Sequence, residues 1–84
     1  MDINVQEGVL RAVADVLERK VDEIPLNASL RDDLNLDSLK QMTLSILLED
    51  EFHLTIPPDE LMNIVKVKDI VDFIHRKLQE STAT

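Results

Sequence analysis

Asp37-Ser38-Leu39-Lys40-Gln41-Met42-Thr43-Leu44-Ser45-Ile46-Leu47-Leu48-Glu49-Asp50-Glu51-Phe52 is the stretch whose reading decides the fold. Leu39, Met42, Ile46 and Leu47 recur at helical spacing, and Leu44, Leu48 and Phe52 fall on an adjoining side, which predicts a helix from about Ser38 to Phe52. Asp37 stands just before it, where a short oxygen-bearing side chain can accept free N–H groups of the first turn. The helix is apolar over more than one face. Complete burial would produce that pattern. So would one face in the core and another offered to partners.

Upstream, the chain from Val21 to Asp37 is irregular, with Pro25, Asn27, Ser29 and the pair Asp32-Asp33, yet Ile24, Leu26, Leu30, Leu34 and Leu36 punctuate it. It reads as a long but anchored loop, and loops of that length in small domains are often functional. Before it, Val5, Val9, Ala12, Val13, Val16 and Leu17 share one side of a predicted helix over roughly Ile3 to Arg19, with Glu7, Arg11, Asp15 and Glu18 opposite. Gly8 weakens that helix by about 1 kcal/mol relative to Ala.

Downstream, His53 to Ile56 is a connector, and Pro57-Pro58-Asp59-Glu60 opens a brief helix near Leu61 to Asn63. Val67, Ile70, Val71, Ile74 and Leu78 form the stripe of a last helix, about Val67 to Leu78, with Arg76 and Lys77 in its final turn. Residues 81–84 read as a flexible tail after a single domain spanning 1–80. With no strand-like alternation, the expected fold is all-α: a small four-helix bundle with three longer helices, a short third one, and a long loop between the first two.

Composition removes several function classes. Seventeen acidic residues face nine Lys and Arg in 84 residues, a formal charge of −8 that repels nucleic acid and anionic membrane surfaces and attracts basic patches. No cysteine is present, so there is no thiolate nucleophile or thiolate metal site. Met1-Asp2-Ile3-Asn4 does not open a secretory signal, and no apolar run approaches membrane-spanning length. A monomer in the cytoplasm, with no membrane insertion, is the expectation.

Catalytic inventories are equally bare. His53 and His75 are isolated, Gly8 is the only glycine, and no paired metal-ligand spacing exists. Asp33-Leu34-Asn35-Leu36-Asp37 begins like a calcium loop, but Ser38 replaces the glycine at position six and Leu44 the glutamate at position twelve, so no metal is expected. What remains is Ser38 at the mouth of a helix, beside an acid. Its hydroxyl could simply cap the helix. Alternatively, a phosphodiester built on it would face unpaired N–H groups and the positive end of the helix dipole.

From Asp33 to Phe73 the chain resembles the acyl carrier protein family, in which an Asp-Ser-Leu motif opens the second helix. Beyond Asp37-Ser38-Leu39, the stretch Glu49-Asp50-Glu51-Phe52 resembles the acidic end of that helix. Ile56-Pro57 followed by acids, and Val67 with Asp69-Ile70-Val71-Asp72-Phe73-Ile74, resemble the family's third and fourth helices. The resemblance implies a carrier, not an enzyme, with no catalytic residue of its own. A transferase would attach 4′-phosphopantetheine from coenzyme A to Ser38, using magnesium bound at that enzyme, and the arm would hold acyl groups as thioesters. It also implies acyl-loading, condensing and transferring partners with basic patches, as in fatty acid or polyketide synthesis. Those partners would meet Asp37, Leu39, Lys40, Met42, Ile46, Glu49 and Asp50. Ile56, Leu61, Ile64 and Phe73 become candidates to line an acyl-chain cleft, or else ordinary core residues.

The chain departs from the family pattern at four places. Asn35 stands where glycine is usual, a substitution that tolerates positive φ. Lys40, Thr43 and Met62 stand where acids are common, which makes the second helix less acidic and suits a carrier specialised for one pathway. An aminoacyl or peptidyl carrier, and an acidic helical interaction module with no arm, remain the alternatives.

Overall fold

The computed structural model describes residues 4–82, with side chains through residue 80. Among these residues there are four α-helices, α1 (Val5–Leu17), α2 (Ser38–Phe52), α3 (Pro58–Met62) and α4 (Val67–Thr82), and one 3₁₀ turn at Val21–Glu23. The all-α bundle is as expected. Its one element of sheet pairing among the described residues is an isolated antiparallel bridge between Ser29 and Lys66.

α1 is shorter than its periodicity suggests, because both ends are set by local chemistry. Asn4 Oδ1 accepts the Glu7 N–H at 3.0 Å, so the helix starts at Val5. At the other end Glu18 turns left-handed, φ 57°, and Arg19 N–H reaches back to the Ala14 carbonyl. Ile3 lies outside the described residues. Val5, Val9, Ala12 and Val13 enter the core as their spacing predicts.

α2 matches its predicted bounds. The short helix runs over Pro58–Met62, opened at Pro58 as the prolines suggest, with Asn63 as its C-cap. α4 passes Leu78 and reaches Thr82, since nothing in Gln79-Glu80 stops a helix. Of the tail read at 81–84, Ser81 and Thr82 therefore have helical backbone, while 83–84 lie outside the described residues. Arg76 and Lys77 consequently sit before the final turn. Lys77 Nζ bonds Glu60 at 3.2 Å and lies 5.4 Å from the centre of the Phe73 ring, tying α4 to α3.

The long loop is anchored twice over. Ile24, Leu30, Leu34 and Leu36 are buried, and the loop carbonyls of Leu26 and Ala28 accept the N–H groups of Lys68 and Val67. The first turn of α4 thereby obtains acceptors that its own helix cannot provide. Leu30 N–H completes the seam at the Val65 carbonyl, 2.8 Å away. The segment leading into α2 is thus pinned to the start of α4.

Candidate functional site

The approach to α2 is a closed turn. Ser29 N–H donates to Asp33 Oδ2 at 2.7 Å while Ser29 Oγ accepts the Asp32 N–H at 3.2 Å. Asn35 then adopts φ 57°, the left-handed conformation asparagine tolerates, and Leu36 N–H returns to the Leu30 carbonyl. Asp37 Oδ1 accepts the Lys40 N–H at 2.9 Å. These bonds give Asp33 and Asp37 a local role, each carboxylate accepting a backbone N–H of its own turn.

The cap of α2 is Asp37, and Ser38 is the first helical residue. The capping alternative for Ser38 is therefore excluded. Its side chain is exposed, and its hydroxyl makes no hydrogen bond with any described residue. Around it lies an open hollow of about 410 Å³ lined by Arg31, Asn35, Leu36, Asp37 and Ser38. A phosphodiester on Ser38 fits this setting: the hydroxyl is uncommitted, the N–H groups of the first turn point outward, and the Arg31 side chain borders the hollow.

The two apolar faces of α2 have separate destinations. Leu44, Leu48 and Phe52 are buried, whereas Leu39 (72%), Ile46 (63%) and Met42 (51%) are exposed. Met62 and Val65, in and after α3, are the other exposed large hydrophobics among the described residues. Asp37, Lys40 and Asp50 are exposed around the α2 face. Glu49 is not free in the same way. It is half-buried, and its Oε2 accepts the Ile56 N–H at 2.8 Å.

The four cleft candidates divide. Ile56 and Leu61 are fully buried in the core. Ile64 is half-buried and borders a hollow of about 180 Å³ with Arg31, Met62 and Val65, while half-buried Phe73 borders a different one with Glu60 and Lys77. All four belong to, or pack against, one hydrophobic cluster.

One feature escaped the sequence reading. Gln41, Ser45 and Glu49 recur at i, i+4 and i+8 along an edge of the buried face of α2. Ser45 Oγ donates to the Ile56 carbonyl and Glu49 accepts from the Ile56 N–H, so two of the three grip one residue. Gln41 is 2% exposed, and neither end of its amide has a hydrogen-bond partner among the described residues. Such burial costs about 1–3 kcal/mol per unpaired group. The signal was available as a polar line through an apolar helix.

Comparison with known proteins agrees with the geometry. The family profile for the phosphopantetheine attachment site matches residues 7–74. The chain is 40% identical over 76 residues to an acyl carrier protein of Exiguobacterium sibiricum, covering 90% of this chain and 91% of that one. Against those of Thermosynechococcus vestitus and Beutenbergia cavernae it is 38% and 37% identical, covering 88% and 82% of this chain and 91% and 89% of theirs. With the profile spanning most of its length and relatives this similar over nearly all of theirs, the chain belongs to the acyl carrier protein family, whose prosthetic group is covalent 4′-phosphopantetheine.

Proposed function

We propose that Ser38 Oγ is the attachment atom for the arm and that this carrier presents acyl groups to the enzymes of one acyl-building pathway. The observation that carries the assignment is the exposed hydroxyl of Ser38, uncommitted at the first position of α2 and flanked by a cap that takes the Lys40 N–H. When bound, the arm supplies the thiol that a chain without cysteine lacks. Every other contribution comes from the protein's own residues.

Asp37 fixes the position of Ser38 by closing the first turn. Arg31 borders the hollow into which a phosphodiester on Ser38 would project, and a guanidinium there complements its negative charge. Leu39, Met42 and Ile46 form an apolar docking strip, with Asp37, Lys40 and Asp50 around it setting the charge pattern that selects partners. Glu49 contributes charge from a fixed position, because its carboxylate is held by Ile56. The partners are a phosphopantetheinyl transferase and the loading, condensing and transferring enzymes, encountered by a monomer in the cytoplasm. Of the cleft candidates, Ile56 and Leu61 would have to part from the core to admit an acyl chain, and Ile64 and Phe73 border separate hollows on either side of α3. Lys40, Thr43 and Met62 make the docking surface less acidic, which favours a specialised pathway over general fatty acid synthesis.

The test is incubation with coenzyme A, magnesium and a broad-specificity phosphopantetheinyl transferase, followed by intact mass. A gain of one phosphopantetheine group in the wild type and none in Ser38→Ala is the expected result. Equal gain in Ser38→Ala would move the attachment elsewhere, and no gain in unmodified, folded protein would favour an acidic binding module.

A further inference from the structure

We infer that Gln41 selects the cargo: its buried amide hydrogen-bonds an oxygen substituent close to the thioester, so this carrier shelters β-hydroxyacyl chains in preference to saturated ones. The inference rests on the proposed attachment at Ser38 and names the acyl class that attachment serves.

The polar line on α2 supplies the argument. Ser45 and Glu49 hold the carbonyl and the N–H of Ile56, which fixes the side of α2 they occupy as the side facing the approach to α3. Gln41 is one turn nearer Ser38 on the same line, about 4.5 Å along the axis from it. The arm is many bonds longer than this one turn, so it would have to loop out and return for its thioester to lie at Gln41, after which a chain running along the seam would pass Gln41 before Ser45 and Ile56. Two of the three polar side chains are satisfied within the protein. The third, closest to the attachment point, is not.

Native interiors rarely leave a buried amide unpaired at both ends, and a side chain that does so beside a ligand's path is suited to bonding that ligand. The amide offers two donors and an acceptor. A β-hydroxyl can accept from Nε2 and donate to Oε1, satisfying both ends. A β-keto oxygen satisfies only the donor, and a methylene satisfies neither. The order of preference is therefore hydroxy, keto, saturated. A site built to bond a hydroxyl discriminates strongly against the analogue lacking it, because the protein group is then left unpaired. The thioester carbonyl is common to all three chains and cancels from the comparison. An oxygen of the arm itself could offer the same chemistry, and the unacylated holo-protein tests that source.

The experiment loads wild type and Gln41→Met with saturated, β-keto and β-hydroxy chains of equal length, with intact mass confirming each species. The Gln41 side-chain NH₂ resonances and the thermal midpoint are then recorded for apo, holo and loaded forms. Met keeps the volume and removes the unpaired groups, so the variant is expected to fold at least as stably as wild type. In wild type the resonances should move with the β-hydroxy chain and not with the saturated one, and the midpoint should rise several degrees more with the former. In Gln41→Met the advantage should vanish or reverse. Three results would overturn the inference: equal resonance shifts in all loaded forms, a full shift already present in holo-protein, or an unchanged order of midpoints in Gln41→Met. An internal water seen to bond Gln41 in apo and every loaded form would also end it. Failure to gain an arm would instead remove the attachment reading itself, and this inference with it.

Discussion

The ring of Phe52 closes over Gly8 so tightly that a Cβ built on Gly8 would stand 2.7 Å from Phe52 Cζ. Gly8 is thus a contact surface between α1 and α2, and its cost to helix propensity has a packing reason. Gly8→Ala would recover about 1 kcal/mol of propensity but overpack a buried ring, which costs about 1–3 kcal/mol. The ring is only 4% exposed, so the second effect should win. A lower urea midpoint is expected. A higher one would mean that Phe52 can swing aside without loss.

At Asn35 the backbone, not the side chain, sets what is tolerated. With φ 57°, Asn35→Gly should leave stability within about 0.5 kcal/mol of wild type. Asn35→Val should lose about 1–2 kcal/mol, because a β-branched residue crowds its own carbonyl in that conformation. Thermal melts of both variants check the contrast, and equal midpoints would show that the turn relaxes to negative φ.

Glu49 and Ser45 hold opposite ends of Ile56, and removing either should loosen the α2–α3 connection. Glu49→Ala is expected to cost about 1 kcal/mol, reduced from a fully buried charged bond because Glu49 is half-exposed to solvent. Glu49→Gln, which keeps an acceptor, should cost less. Amide exchange at Ile56 should accelerate in Glu49→Ala before the rest of the bundle responds. Unchanged exchange would show that the Ile56 N–H finds another acceptor.

Ile46→Ser tests the outer face separately from the core. Because Ile46 is 63% exposed, the unfolding midpoint should stay within about 0.5 kcal/mol of wild type. Modification by the transferase should nevertheless slow about tenfold in kcat/KM, as expected when a docking anchor worth about 1.4 kcal/mol is lost. An unaltered rate would remove Ile46 from the docking strip.

Periodicity and turn chemistry made much of the fold legible. Three long helices, the anchored loop, the tolerance of Asn35 and the cap at Asp37 all follow from spacing and from local hydrogen-bonding capacity. Helix ends were less legible. The sequence did not mark the left-handed turn at Glu18 that ends α1, nor the continuation of α4 past Leu78.

Sequence by itself determined the helical class, the acidic surface and the position of the one serine that opens α2. Only tertiary structure decided which apolar face of α2 is buried, since Leu39 and Leu44 are equally hydrophobic and differ only in what packs against them. Gln41 became conspicuous only once its neighbours on the helix were seen to bond Ile56 while it bonded nothing. Local hydrogen bonds and periodicity are properties of neighbouring residues, and a chain states them directly. Burial and the pairing of buried polar groups depend on residues distant in sequence, so they exist only after the helices have met.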